Sequence, residues 1–191
     1  MQKRTFENLI LNGKDLFLEG DITIEGMLEI KNANLIVSGN LTVLDNYGII
    51  KVENGNIIVS GTIKVYHDIY IESGDISCNF LDCFSISIAN GDIWTRTNLD
   101  AEHITSNGDI QVGQNSNVTY ITCLSYLVIG NNNSTTIDAS QDVYILGDNV
   151  SFDLTAQKII IVGDCNTNNH TITAQSFVCK GKLSCKEVII K

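Results

Sequence analysis

The chain has 191 residues, enough for one domain with a continuous core, and 43 % hydrophobic against 18 % charged residues excludes a disordered tail. A formal net charge of −10 argues against nucleic-acid binding or docking on an anionic membrane, since both need a basic face. Proline is absent, so every backbone N–H can enter a hydrogen-bond ladder.

The opening Met1-Gln2-Lys3-Arg4-Thr5-Phe6 carries two basic residues and no apolar signal segment. No apolar run approaches the roughly 18–20 residues that cross a bilayer. A cytoplasmic location without membrane insertion is the expectation. Residues 1–13 read as an N-terminal cap, 14–185 as coils and 186–191 as a C-terminal end strand, all in one domain.

From Glu19 a short phrase recurs six times: Glu19-Gly20-Asp21-Ile22, Ser38-Gly39-Asn40-Leu41, Asn54-Gly55-Asn56-Ile57, Ser73-Gly74-Asp75-Ile76, Asn90-Gly91-Asp92-Ile93 and Asn107-Gly108-Asp109-Ile110. Its glycines lie 16 to 19 residues apart. Between them aliphatic residues come as i, i+2 pairs, such as Ile22/Ile24, Leu28/Ile30, Leu35/Val37 and Leu41/Val43. That alternation means strands with one face inward, and helical spacing is absent. Three short strands fill each period, which predicts an all-β, single-stranded parallel β-helix, or β-solenoid, with three sides.

The second half keeps the rhythm through Gly130, Gly147, Gly163 and Gly181. The longer step from Gly108 to Gly130 predicts an insertion around Gly113 to Asn117. About ten coils of 16–19 residues follow, stacked at roughly 4.8 Å into a rod about 45–50 Å long. Six cysteines (Cys78, Cys83, Cys123, Cys165, Cys179 and Cys185) lack metal-site spacing and read as reduced, partly buried side chains. The run Asn131-Asn132-Asn133, with Asn115, Asn117, Asn149 and Asn166, reads as stacked amides at coil corners.

Asp75, Asp92 and Asp109 follow turn glycines one coil apart, and Asp21 shares their local phrase. Stacked carboxylates at such spacing either bond the neighbouring backbone as turn residues or recruit a hard cation such as Ca²⁺. Asp92, Trp94 and Arg96 alternate along one strand, so they share a face. This set suits an interaction patch around Trp94 or, with Asp75 and Asp109, a carbohydrate-active site. His103 is the one base for an acyltransferase alternative, which the unequal strand steps disfavour.

The texture of Leu35-Ile36-Val37-Ser38-Gly39-Asn40-Leu41-Thr42-Val43 and Ile57-Ile58-Val59-Ser60-Gly61-Thr62-Ile63-Lys64-Val65 resembles the bactofilins, most clearly over residues 16–112. That resemblance implies a right-handed, three-sided β-helix and a polymer-forming cytoskeletal role, and it implies no catalytic residue. The expectation is a non-enzymatic scaffold that forms homo-oligomers through its end coils, at Phe6, Leu9 and Ile10 on one end and Val188, Ile189 and Ile190 on the other. No cofactor is required. The alternatives are a cation-dependent or carbohydrate-active enzyme using the acidic ladder, and a module that presents one binding face.

Overall fold

In a computed structural model, residues 3–44, 48–134, 136–151 and 153–191 are described. They form strands and turns with no helix, and every strand pairing among them is parallel. The protein is a β-solenoid of about ten turns.

The pairings sort into three ladders, called faces A, B and C. Face A begins with Lys3–Phe6 on Asp21–Ile24 and continues through Leu41–Val43 and Thr62–Val65. Face B begins with Leu9–Asn12 on Leu28–Lys31, and face C with Leu16–Leu18 on Leu35–Val37. The segment expected to cap the N-terminal end is therefore itself most of the first coil. The long strands Ile110–Cys123 and Asp153–Ile161 run from one face to the next without a break.

Alternation places the first residue of each i, i+2 pair in the interior. On face C the inward column runs Leu35, Ile57, Ile76, Ile93, Ile110 and Leu127, all essentially inaccessible. On face B it runs Leu28, Ile50, Ile69, Ile86, Ile104 and Ile121. One coil cannot bury these side chains alone, and stacking like on like gives each of them a ceiling and a floor.

Corner hydrogen bonds give the coil lengths directly, with partners separated by 19, 22, 17, 16 and 18 residues at successive places along the chain. The 22-residue coil exceeds the expected range because Val43 on face A and Ile50 on face B lie seven positions apart in sequence, against four between Ile24 and Leu28. The step from Gly108 to Gly130 has a different origin from the expected insertion. Gly108 stacks on Gly91, and Gly130 stacks beside Gly113, so the two glycines belong to different corners. Only a small register shift between Val112 and Asn115 interrupts that region.

The phrase itself occupies two corners. Gly20 and Gly39 stack together between faces C and A, whereas Gly55, Gly74, Gly91 and Gly108 stack between faces B and C. On the second corner Gly74 and Gly91 have to be glycine, although Ala33 fills the same column below Gly55. Gly74 and Gly91 have φ of 137° and 143°, and a Cβ on Gly74 would collide with the carbonyl oxygen of Gly55.

Candidate functional site

The acidic column lies on the corner between faces B and C. The backbone N–H of Asp92 donates to Asp75 Oδ1 at 2.9 Å, and that of Asp109 donates to Asp92 Oδ1 at 2.7 Å. Above them, Asp109 Oδ1 accepts from the Tyr126 N–H at 3.1 Å and from the Ser125 hydroxyl. Below them the same position is filled by Asn56, Asn34 and Asp15, linked by the same bond. Each carboxylate thus satisfies a peptide donor one coil further along, which is the turn chemistry that makes Asp and Asn interchangeable here.

Asp21 does not belong to this column. It sits on the corner between faces C and A, where its Oδ1 accepts from the Asn40 N–H at 2.9 Å. The shared phrase misplaced it because both corners need the same residue types. Among the described residues, no group of three or more His, Cys, Asp or Glu is arranged to hold a metal ion.

The strand Ile93–Thr95 separates Asp92 from Arg96. Four residues of extended chain span about 13 Å, so Arg96 stands across the face from the carboxylates. The structure instead brings Arg96 to Trp94: both line a shallow, open depression with Ile58, Ser77 and Asn79. The three aspartates are not part of it.

His103 is exposed, stacked flat on Tyr120 with ring centres 5.1 Å apart, and edge-on to Phe84 at 6.5 Å. Glu102 lies 3.7 Å from its Nε2. Adjacent coils bring these residues together. His67 and His170 lie in other coils, and Asp153 stands 3.6 Å from His170 Nδ1.

The end residues divide by direction. Phe6, Leu9, Val188 and Ile190 occupy inward columns, while Ile10 and Ile189 point outward on face B. Leu9 is buried, but the C-terminal coil leaves its interior open: Leu183 is 45 % exposed and Ile190 59 %. Among the described residues, Lys3–Phe6, Leu9–Asn12 and Leu16–Leu18 each pair on one edge only, as do Leu183–Ser184 and Glu187–Ile190 at the other end.

The six cysteines are all free. Burial pushes the Cys78 thiol up to about 12 and the Cys165 thiol up to about 11, so neither is a nucleophile.

Sequence reasoning missed an internal polar stack on face A. Ser116, Asn132 and Asn149 stand in the column that holds Ile22, Leu41, Ile63, Leu81 and Leu99 lower down. Asn132 Nδ2 donates to Asn149 Oδ1 at 2.7 Å, and Asn149 Nδ2 donates to Ser151 Oγ at 3.0 Å. The Ser116 and Ser134 hydroxyls share a bond of 3.0 Å. The signal was present in the Asn-rich run, where alternation sends Asn131 to the corner, Asn132 inward and Asn133 outward.

Comparison with protein-family models, curated proteins and solved structures found no match.

Proposed function

We propose that the chain is a non-enzymatic, self-associating scaffold, of the cytoskeletal kind that its bactofilin-like texture implies, whose contacts are its two end coils. The observation that carries this reading is the open C-terminal coil, where apolar interior and unpaired strand edges face solvent together.

Faces A and B can continue in register into a second copy, while face C ends one strand earlier, at Phe177 to Cys179, and leaves a gap there. Val188 and Ile190 then meet Leu9 and Leu11, and Ile189 meets Ile10. Lys186 meets Glu7, while on face A Leu183 meets Arg4 and Lys182 meets Lys3. Such a head-to-tail contact is heterologous, and it builds filaments unless it closes. Six free cysteines fit a reducing, cytoplasmic compartment.

Negative-stain microscopy across a concentration series tests the reading. The wild type is expected to form rods longer than one particle, and Leu183→Lys, which faces Arg4, with Ile190→Asp to leave single particles of unchanged melting temperature. A wild type that stays monomeric at millimolar concentration overturns it.

A further inference from the structure

The three faces differ in what they show to solvent. Outward positions on face A are Thr5, Thr23, Thr42, Lys64, Asp82 and Asp100. Those on face B include Glu29, Lys51, Tyr70, Ser87 and Thr105. Face C is apolar over most of its length, through Phe17, Ile36, Ile58, Trp94, Ile160 and Val178. Phe17 is 57 % exposed, Trp94 47 %, and Ile58 and Val178 42 % each. Alternation permits polar residues at every one of these positions, as the other two faces demonstrate, so the fold does not demand this stripe. Contiguous exposed apolar surface of this kind marks an interaction site.

We infer that face C is a lateral contact with a second copy of this chain, lying alongside with its axis parallel. Shape comes first. The stripe is a flat sheet face of stacked three-residue strands, and a flat face is complementary to another of the same kind. Its length of about 45–50 Å and width of about 10 Å give roughly 1,000 Å² in total when two copies meet, the lower bound for a specific interface.

The arrangement of polar groups selects the partner. A twofold axis along the rod brings each outward residue against its own counterpart. Gln111 then faces Gln111, and the two long amides can exchange hydrogen bonds across sheets about 10 Å apart, while the short Ser77 stays in the open depression beside Trp94. The same axis reverses strand direction, so the corner that bears Asp92 lies opposite the other copy's Arg96. Among the described residues Arg96 forms no ion pair within its own chain. Two such Asp–Arg contacts flank Trp94 in the middle of the stripe, and Asp15 opposite Glu19 is the like-charge contact at one end. An isologous contact of this type closes as a pair and leaves both rod ends free.

The contact is tested with end growth blocked, in Leu183→Lys/Ile190→Asp protein, by sedimentation velocity over a concentration series. The expected species is a reversible dimer. Adding Ile58→Lys and Trp94→Lys is expected to give monomer with an unchanged melting temperature. Arg96→Asp is expected to weaken the dimer about tenfold, and Arg96→Lys to keep most of it. In unblocked protein, filaments should be two rods wide and become one rod wide in the face C variant. A blocked protein that is monomeric throughout, or a face C variant that dimerises equally well, overturns the inference. Retention of the protein on neutral phosphatidylcholine vesicles without any dimer also overturns it. The end-contact reading fails by a different sign, when blocking the ends does not shorten the rods.

Discussion

On face A the interior of the lower coils and that of the upper coils are built from opposite chemistry. Ile22, Leu41, Ile63, Leu81 and Leu99 are stabilised by burial, at about 1.5–3 kcal/mol for each full side chain. Ser116, Asn132 and Asn149 occupy the same column, equally inaccessible, and are held by bonds whose net worth is about 0.5–1.5 kcal/mol each. Face B thins in parallel: its second inward column passes from Ile30, Val52, Ile71 and Ile88 to Ser106, Cys123, Ala139 and Ala156. The coils shorten with it, from 19 and 22 residues to 16 and 17. A solenoid column therefore requires that neighbours agree with one another more than that they be aliphatic. The upper half is the weaker, and local opening should begin there.

The largest effect expected to sharpen this contrast is Ile63→Ala, which leaves a cavity between Leu41 and Leu81 and should cost about 3–4 kcal/mol in urea unfolding. Asn149→Ala should cost about 2 kcal/mol, because the Asn132 amide then loses its acceptor inside the core. Equal losses at the two sites would break the distinction between burial and bonding.

Alkaline pH probes the lower half through Cys78. In the fold the Cys78 thiol titrates at about 12 and in the unfolded chain at its ordinary 9, so the unfolded state gives up its proton first. Stability is intact below pH 9 and falls as pH rises toward 12, by about 1.4 kcal/mol for each pH unit from this group. Urea midpoints at pH 8 and pH 10 should show the decline, and Cys78→Ala should make it shallower.

Replacing both internal amides together, Asn132→Leu with Asn149→Leu, should cost about 1–2 kcal/mol, since the pair leaves as a unit but the buried Ser134 N–H and Ser151 hydroxyl each lose a partner. A loss well above that of Asn149→Ala would mean that the site also rejects carbon on shape. The smallest effect belongs to the corner. Asp92→Asn keeps the oxygen that accepts from Asp109 and should stay within about 0.5 kcal/mol, with no rise in melting temperature on adding calcium; Asp92→Ala should cost about 1 kcal/mol. A calcium-dependent rise that disappears in Asp92→Asn would make the ladder an ion site.

The coils and their inward pairs were legible because alternation is a local property, and Leu28/Ile30 or Ile57/Val59 declare it without reference to anything distant. Corner assignment was not legible from glycine spacing. A coil has three corners about six residues apart, so the step of 16 from Gly39 to Gly55 is a 22-residue coil less one side. That ambiguity put Asp21 beside Asp75 and turned a change of corner near Gly113 into an insertion. The grouping of Asp75, Asp92 and Asp109 could be read because two equal steps of one phrase stay on one corner. The separation of Arg96 from them could not, since sharing a strand face says nothing of the distance along it. The inward Asn132 and Asn149 went unread for a different reason: hydropathy patterning marks carbon as core, and a self-satisfied amide pair carries no such mark.

The corner bonds also have a sense. From Asp15 through Asn34, Asn56, Asp75 and Asp92 to Asp109, the side-chain oxygen always belongs to the earlier coil and the peptide donor to the later one. On the other corner the run from Asn98 to Asp164 keeps the same direction, with the side-chain amide of Asn131 as the donor at one rung, and stops at Lys182, which has no oxygen to offer a further coil. The rod is thus a vector. Its first coil presents side-chain-bonding peptides with nothing beneath them, and its last presents a lysine where a carboxylate would invite continuation. A head-to-tail assembly would inherit that arrow, and an oxygen-bearing residue at position 182 would lengthen the run by one rung at the C-terminal end.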